Sequence, residues 1–396
     1  MKLLTTISEN YVADWGLFEG IRELVQNGLD ARDKGFRFDI IYRREQEELL
    51  IYNDGTSITR ANLLLGNTSK RGDENQRGQH GEGFKIGILA LIRCGKKVEI
   101  SNGINSEVIH SSIEQHPDYG NTRVLCFETE QSNILPIDKN KLIFKVCGIT
   151  AQEVNSIKDK FLEWEGLQLG DYYKTSVGKV LLQPRYKGKI FSRGIYVCDI
   201  PKFEYGYDFE TLSLGRDRNL ARQTDMEWET SKIWSKLGET HGKDELVINM
   251  LKSDAPDVRD IDYFTKEKLN KKCHEKFFSD NGDKSYPCSS EYQKKEIASL
   301  GLKPIIVSET HRKVLEHNFP SLYSIREKQK LAKADHVDMT KVFSDLFAEG
   351  WKIKYYPCDC GGKYTWLYPD DDGNYHNHGC ICHKTPIDKG EDDSNS

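Results

Sequence analysis

The chain has 396 residues, 37% of them hydrophobic and 30% charged, with a formal net charge of -5. That balance fits a soluble globular protein of about two or three domains and excludes a general attraction to nucleic acid, leaving a local basic patch as the only electrostatic route to it. No stretch approaches the roughly 20 apolar residues of a membrane span, and the opening MKLLTTISENYVADWG lacks the apolar core of a secretory leader, so a cytoplasmic location with no membrane partner is expected.

In LFEGIRELVQNGLDARD, Leu17, Ile21, Leu24 and the 28/29 position recur at helical spacing, which predicts an amphipathic helix over residues 17 to 33. Glu23, Asn27 and Asp30 fall at i, i+4 and i+7 and form one polar stripe on it. An amide such as Asn27 can give magnesium one oxygen ligand while leaving most of its water shell intact. Glu23, one turn away, can orient and deprotonate an attacking water. Taken alone, the stripe reads better as a solvated helix face.

A predicted hairpin follows, FRFDIIYRREQEELLIYNDG, whose second strand ends in Asn53-Asp54-Gly55. Then GQHGEGFKIGI, residues 78 to 88, sets four glycines and a lysine directly before an apolar helical run. Gly78, Gly81 and Gly83 let backbone N–H groups approach an anion, and a helix opening near Phe84 turns its positive end to the same place. Three familiar phosphate loops do not fit. There is no Gly-Lys-Ser or Gly-Lys-Thr, the spacing is not GxGxxG, and Arg216-Asp217-Arg218-Asn219 is only superficially like a kinase catalytic loop.

A helix with Glu and Asn, a strand ending Asx-Asx-Gly and then GxxGxGxK, in that order, resembles the GHKL ATP-binding superfamily, which includes type II topoisomerases, the large heat-shock chaperone, MutL, MORC proteins and histidine kinases. The resemblance covers about residues 8 to 130, closest in motif style to MutL and MORC-like members. It implies an α+β chain whose N-terminal domain, 1–135, is a Bergerat fold of helices on a mixed sheet, with ATP and magnesium as cofactors.

The resemblance also implies roles for single residues. Glu23 becomes the general base, Asn27 the magnesium ligand and Asp30 their support. Gly78, Gln79, His80, Gly81, Glu82, Gly83 and Phe84 form the triphosphate loop, with Lys85 at the helix start as a catalytic contact. Ser69 and Lys70, within Asn67-Thr68-Ser69-Lys70-Arg71, match a lid segment, and Thr122, before RVLCFE, matches a threonine near the adenine. Where the family has Asp-x-Gly-x-Gly, this chain reads Asn53-Asp54-Gly55-Thr56-Ser57. An asparagine can accept from adenine but can also donate, so the choice between adenine and guanine is open there, and Asp54 can take over if the turn shifts.

Residues 136–240 alternate short apolar segments with turns and look like the transducer domain of such ATPases, with Arg216 or Arg218 as candidate γ-phosphate contacts or, alternatively, ordinary loop cations. Lys187 and Lys189 are weaker candidates on hairpin turns. Residues 241–350 read as a helix-rich α/β region, in which the basic run 266 to 276 is a solvated helix face in preference to a phosphate contact. Six of the ten cysteines are scattered with no common spacing, and several of them lie in apolar runs, where reduced cysteine behaves as a small core residue.

The other four form two CxC pairs, Cys358/Cys360 and Cys380/Cys382, separated by 19 residues, and predict a zinc-ribbon-like module over 351–388, with disulfides as the alternative disfavoured in a reducing compartment, and a disordered tail at 389–396. His376, His378 and His383 are possible replacement ligands. The expected activity is ATP hydrolysis driving a lid and homodimer switch on an unknown protein or nucleic-acid client. The alternatives are a GHKL-type protein kinase, disfavoured because no histidine precedes the Glu23 helix, and a non-hydrolysing nucleotide-sensing scaffold.

Overall fold

A computed structural model describes residues 1–64, 83–120, 122–132, 138–164, 169–212, 223–334, 352–355, 364–369, 372 and 375–380. The chain divides into two compact units, 1–237 and 238–396. Among the described residues, no helix is long and apolar enough to cross a membrane.

The first unit rests on a seven-stranded sheet of β1 (Lys2–Ser8), β2 (Phe38–Arg43), β3 (Glu48–Asp54), β4 (Lys97–Asn102), β5 (Glu107–Gln115), β6 (Arg123–Gln131) and β7 (Lys141–Cys147), in the order β1-β6-β5-β4-β7-β3-β2. Every neighbouring pair is antiparallel, which corrects the mixed sheet implied by the resemblance. Short connections join β2 to β3, β4 to β5 and β5 to β6, and such links impose antiparallel pairing. The sheet also draws a central strand, β7, from past the boundary expected at residue 135.

Strand alternation sends Leu49 and Ile51 of β3, Val98 and Ile100 of β4, and Leu142, Phe144 and Val146 of β7 to one face, where they form the main core. Two helices cover that face, α1 (Leu17–Asp33) and α2 (Gly83–Arg93), burying Ile21, Leu24 and Leu29 from one and Ile88, Leu89 and Leu91 from the other. At the start of α1 the Gly16 N–H donates to Glu19 Oε2 at 2.9 Å. The helix is followed by Gly35 at φ +93°, a conformation that disfavours any side chain.

The two helices touch through glycines. A Cβ at Gly20 would meet Leu91 Cγ at 2.7 Å and Gly87 O at 2.9 Å, and one at Gly87 would meet Gly20 O and Glu23 Cβ, each at 2.9 Å. This close approach fixes how Glu23 on α1 lies against the first turn of α2.

After α3 (Ala151–Lys158) comes a five-stranded sheet of β8 (Tyr172–Lys174), β9 (Gly178–Leu181), β10 (Lys189–Ser192), β11 (Ile195–Asp199) and β12 (Gly206–Phe209), in the order β11-β10-β12-β9-β8. Val154 and Ile157 of α3, with Phe161, Trp164 and Ile195, join the core of the first sheet. The helix α4 (Gln223–Thr240) is tied to β12 by Trp234 Nε1, which donates to Tyr207 Oη at 2.8 Å. Lys187 is taken up by Glu204 at 3.3 Å on the surface.

The second unit holds α5 (Asp244–Lys252), α6 (Glu267–Asn281), β13 (Ser285–Cys288), α7 (Glu291–Ser299), β14 (Lys303–Ile306), α8 (Glu309–Glu316) and α9 (Leu322–Ala334), with β13 and β14 parallel. The basic run on α6 is a charged outer face: Lys272 pairs with Glu275 at 3.2 Å and Lys276 with Asp280 at 2.7 Å. At the chain's end, β15 (Lys352–Tyr355), β16 (Tyr364–Pro369) and β17 (Tyr375–Cys380) form an antiparallel sheet.

His311 of α8 is 2% exposed, and neither ring nitrogen has a hydrogen-bond partner among the described residues. Burial, helped by the charge of Lys252, pushes its imidazole down to about 4 from 6.5. The unfolded chain therefore takes up a proton below pH ~6.5 that the folded chain refuses until pH ~4. The stability that goes with a neutral His311 is whole above the unfolded value and is lost as pH falls toward the folded one. Between pH 7 and 4.5, urea unfolding should show wild type losing about 2 kcal/mol more than His311→Leu; equal losses would dismiss the imidazole as the cause.

Candidate active site

Three elements bring the expected groups together: α1, the end of β3, and the start of α2. Glu23 is 8% exposed, and its carboxylate fills the space left by a missing side chain on α2, since a Cβ at Gly83 would lie 2.3 Å from Oε2. The carboxylate thus sits at the N-terminal turn of α2, where unsatisfied N–H groups and the helix dipole favour negative charge. Its other oxygen, Oε1, accepts from Arg22 Nε at 3.1 Å and Nη2 at 3.0 Å.

One turn along α1, Asn27 donates through Nδ2 to the Glu23 carbonyl at 2.9 Å, which fixes which end of its amide faces the helix backbone. Asp30, a turn further, is 3% exposed. The polar stripe is therefore sunk into the unit and is not a solvated face.

Asn53, 6% exposed, donates through Nδ2 to Gly28 O at 3.0 Å and Arg37 O at 3.2 Å. Two carbonyl neighbours force the NH₂ end inward, and among the described residues nothing donates to Oδ1. Gly55 closes the turn at φ +77°, its N–H donating to Asn140 O at 2.6 Å. Asp54 does not share this face, because the strand pleat points consecutive side chains oppositely. It pairs with Lys141 while Asn53 pairs with Leu142, and its Oδ1 is buried without a partner among the described residues. A small shift of the turn cannot swap the two.

Two assignments are corrected. Lys85 is 0% exposed, and its ammonium donates to the carbonyls of Asn62 at 2.9 Å and Leu64 at 2.5 Å. Two residues on from Gly83 it lies about 200° around the helix, so it anchors the chain leading to residue 64 in place of the expected phosphate contact. Thr122 is exposed at the tip of the β5–β6 hairpin, its hydroxyl donating to Tyr119 O at 2.6 Å. Register runs Asn53, Leu142, Asn102, Glu107, Gln131 across the sheet, so the level of Asn53 meets the far end of β6. Thr122 is nine residues, roughly 30 Å, down that strand.

Phe84 packs its ring on the core beside Phe144, with centroids 6.1 Å apart. Ser69, Lys70, Gly78, Gln79, His80, Gly81 and Glu82 lie outside the described residues, as do Arg216 and Arg218 and Cys358, Cys360 and Cys382. Cys380 is described only as the last backbone position of β17.

Sequence reasoning missed Arg22, which no periodicity marks, and Asn102. Asn102 lies on the Asn53 face, 0% exposed, with Nδ2 donating to Ile58 O at 2.7 Å and Oδ1 buried and unpartnered among the described residues. A polar residue ending an alternating apolar strand was the available signal. Among the described residues, no group of three or more His, Cys, Asp and Glu side chains is placed to hold a metal ion.

Among solved structures, the chain is similar to the ATPase region of Saccharomyces cerevisiae topoisomerase II bound to ICRF-187 (dexrazoxane), at 13% identity over 46% of this chain and 62% of that one, with a TM-score of 0.31. A second structure of that yeast ATPase region gives 12%, 46%, 62% and 0.31. The ATPase and transducer domains of topoisomerase II from Balamuthia mandrillaris give 11% identity over 65% of this chain and 70% of that one, at 0.32. The chain thus spans under two thirds of the yeast chains it matches. No protein-family model and no curated protein matches the sequence. At such TM-scores the likeness decides nothing about chemistry, which rests on the residues of the site.

Proposed function

We propose that the first unit binds ATP with magnesium and hydrolyses it, with Glu23 as general base. The observation that carries this reading is the contact between a buried carboxylate and the first turn of α2, which sets a base beside a ready anion site. In the reaction, the water oxygen bonds to the γ-phosphorus as one water proton passes to Glu23. The bond from that phosphorus to the bridging oxygen breaks, and its electron pair leaves with ADP. Asn27, its amide oriented by the Glu23 carbonyl, would hold magnesium, which when bound neutralises charge on the phosphates. Asp30 supports the stripe from the next turn, and Gly78 to Gly83 complete the phosphate loop by the resemblance.

Asn53 supports adenine over guanine. With both amide hydrogens directed to carbonyls, it presents an acceptor, which in the base orientation the resemblance implies suits the 6-amino group of adenine and not the 6-oxo group of guanine. The same bonds explain why aspartate is absent here. Asn53→Asp would set a carboxylate oxygen against Gly28 O and Arg37 O and should lower stability by about 1–3 kcal/mol. Chemical denaturation measures this, and an undiminished midpoint would contradict the amide orientation.

The lid around Ser69 and Lys70, an ATP-dependent homodimer, a γ-phosphate contact from Arg216 or Arg218, and an unknown protein or nucleic-acid client remain part of the proposal on the strength of the resemblance. So does structural zinc, for which strand register gives support. Tyr355 pairs with Tyr364 and Thr365 with Cys380, so the chain leaves toward Cys358 and Cys360, and toward Cys382, from one end of the sheet. Elemental analysis of protein purified without chelator should find about one zinc per chain, lost in Cys380→Ser. Metal-free protein with intact wild-type folding would remove zinc.

The decisive assay compares ATP and GTP for binding and magnesium-dependent turnover. ATP turnover above GTP supports the reading, and binding of neither nucleotide ends it.

A further inference from the structure

Arg22 and Glu23 are neighbours on α1, 6% and 8% exposed, yet their side chains meet in a two-pronged ion pair. Side chains at i and i+1 leave a helix about 100° apart and do not normally face each other. The long Arg22 chain must therefore be held turned toward Glu23. The indole of Trp15 does this, its ring centroid 4.9 Å from the guanidinium carbon.

Trp15 is itself fixed. It belongs to the turn between β1 and α1, where Val12 has the uncommon φ of +46°. Four carbonyls of that turn converge on one side chain: Arg93 Nη1 donates to Glu9 O at 2.9 Å and Tyr11 O at 2.8 Å, and Nη2 to Val12 O at 2.7 Å and Trp15 O at 3.2 Å. Arg93 ends α2, the helix whose first residue, Gly83, packs on Glu23 Oε2. Both ends of α2 thus act on one carboxylate, directly at its start and through the turn, Trp15 and Arg22 at its end.

We infer that Arg22, stacked on Trp15 and secured by the Arg93 clamp, is a positioning residue that occupies Oε1 of Glu23 and leaves Oε2, beside Gly83, as the oxygen that takes the proton. This rests on the reading of Glu23 as the base. Neither Trp15 nor Arg93 touches the reacting atoms, so their effect on turnover passes through Arg22.

The test uses the full chain with magnesium and ATP, reading kcat and, separately, the equilibrium Kd for ATP. Arg22→Gln should cut kcat by about 10- to 100-fold with Kd within about threefold, the pattern of a lost transition-state interaction. Trp15→Leu should cut kcat about tenfold, while Trp15→Phe, which keeps an aromatic face and guards against a folding artefact, should recover most of it. In the Arg22→Gln background, Trp15→Leu should cost nothing further, because the two act in series. Equal losses in both backgrounds, or unchanged kcat in Arg22→Gln, would overturn the inference.

A second readout needs no turnover: exchange of the Arg22 Nε–H by NMR. Protection in wild type that Trp15→Leu abolishes upholds the held fork even if ATP is not hydrolysed, in which case hydrolysis by Glu23 is what fails. Exchange that is fast in wild type, or unaltered in Trp15→Leu, sinks the relay and leaves the hydrolysis reading standing on its own assay.

Discussion

Replacing Glu23 by glutamine is expected to lower ATP turnover by about 10²- to 10⁴-fold, the range in which general acid–base catalysis operates, with the ATP dissociation constant within about threefold of wild type. Glutamine keeps the length of the side chain and an acceptor for Arg22 Nε and Nη2, so the surroundings of residue 23 need not move. What disappears is the ability to take a proton from water. Losing a negative charge beside the first turn of α2 also removes competition with the phosphates for that helix end, so ATP binding should hold or tighten. Steady-state kinetics with isothermal titration separates these effects. Turnover that survives the substitution would remove Glu23 as base, whatever the affinity. Weakened binding with unchanged kcat would instead make it a ligand-binding carboxylate.

The local parts of this site were legible in the sequence. Helical spacing of Leu17, Ile21 and Leu24 predicts residues 17 to 33, the span that α1 occupies, and the polar stripe is where the sequence places it. Asn53 and Asp54 do end a strand. The face on which each lies was also available, since alternation along ELLIYND puts Asn53 with Leu49 and Ile51 in the core and Asp54 opposite.

What escaped depends on pairings between distant parts of the chain. Thr122 carries the local look of an adenine contact, but only the register of β6 against β5, β4 and β7 shows that it sits at the wrong end of the sheet. Lys85 follows glycines as a phosphate-binding lysine does. Its burial against Asn62 O and Leu64 O depends on how the chain after β3 crosses α2, which no spacing in the sequence encodes. The second unit shows the same limit. The short β-branched run Ile305-Ile306-Val307 is strand-like by itself, while its parallel partner Ser285–Cys288 becomes evident only in the fold.

Gly87→Ala gives opposite expectations from local and tertiary physics. In an isolated helix the change should stabilise by about 1 kcal/mol, because alanine is the better helix former. Here the new Cβ would meet Gly20 O and Glu23 Cβ, each at 2.9 Å, and neither is the free end of a flexible chain. Relief requires α1 and α2 to separate by a few tenths of an ångström along a core that includes Ile21, Leu24, Ile88 and Leu91. Overpacking of this kind costs about 1–3 kcal/mol, which outweighs the propensity gain, so urea unfolding should show a net loss. The same separation draws Glu23 away from the first turn of α2, so ATP turnover should fall by more than the unfolded fraction accounts for. By contrast, the Cβ of Gly83→Ala meets the end of a single side chain, Glu23 Oε2 at 2.3 Å and Cδ at 3.4 Å, with no backbone in the way, and should cost less stability than Gly87→Ala while displacing the base from its Arg22 pair. A stabilised Gly87→Ala protein would show that the helices do not approach this closely, and with that the placing of Glu23 at the helix end would be lost.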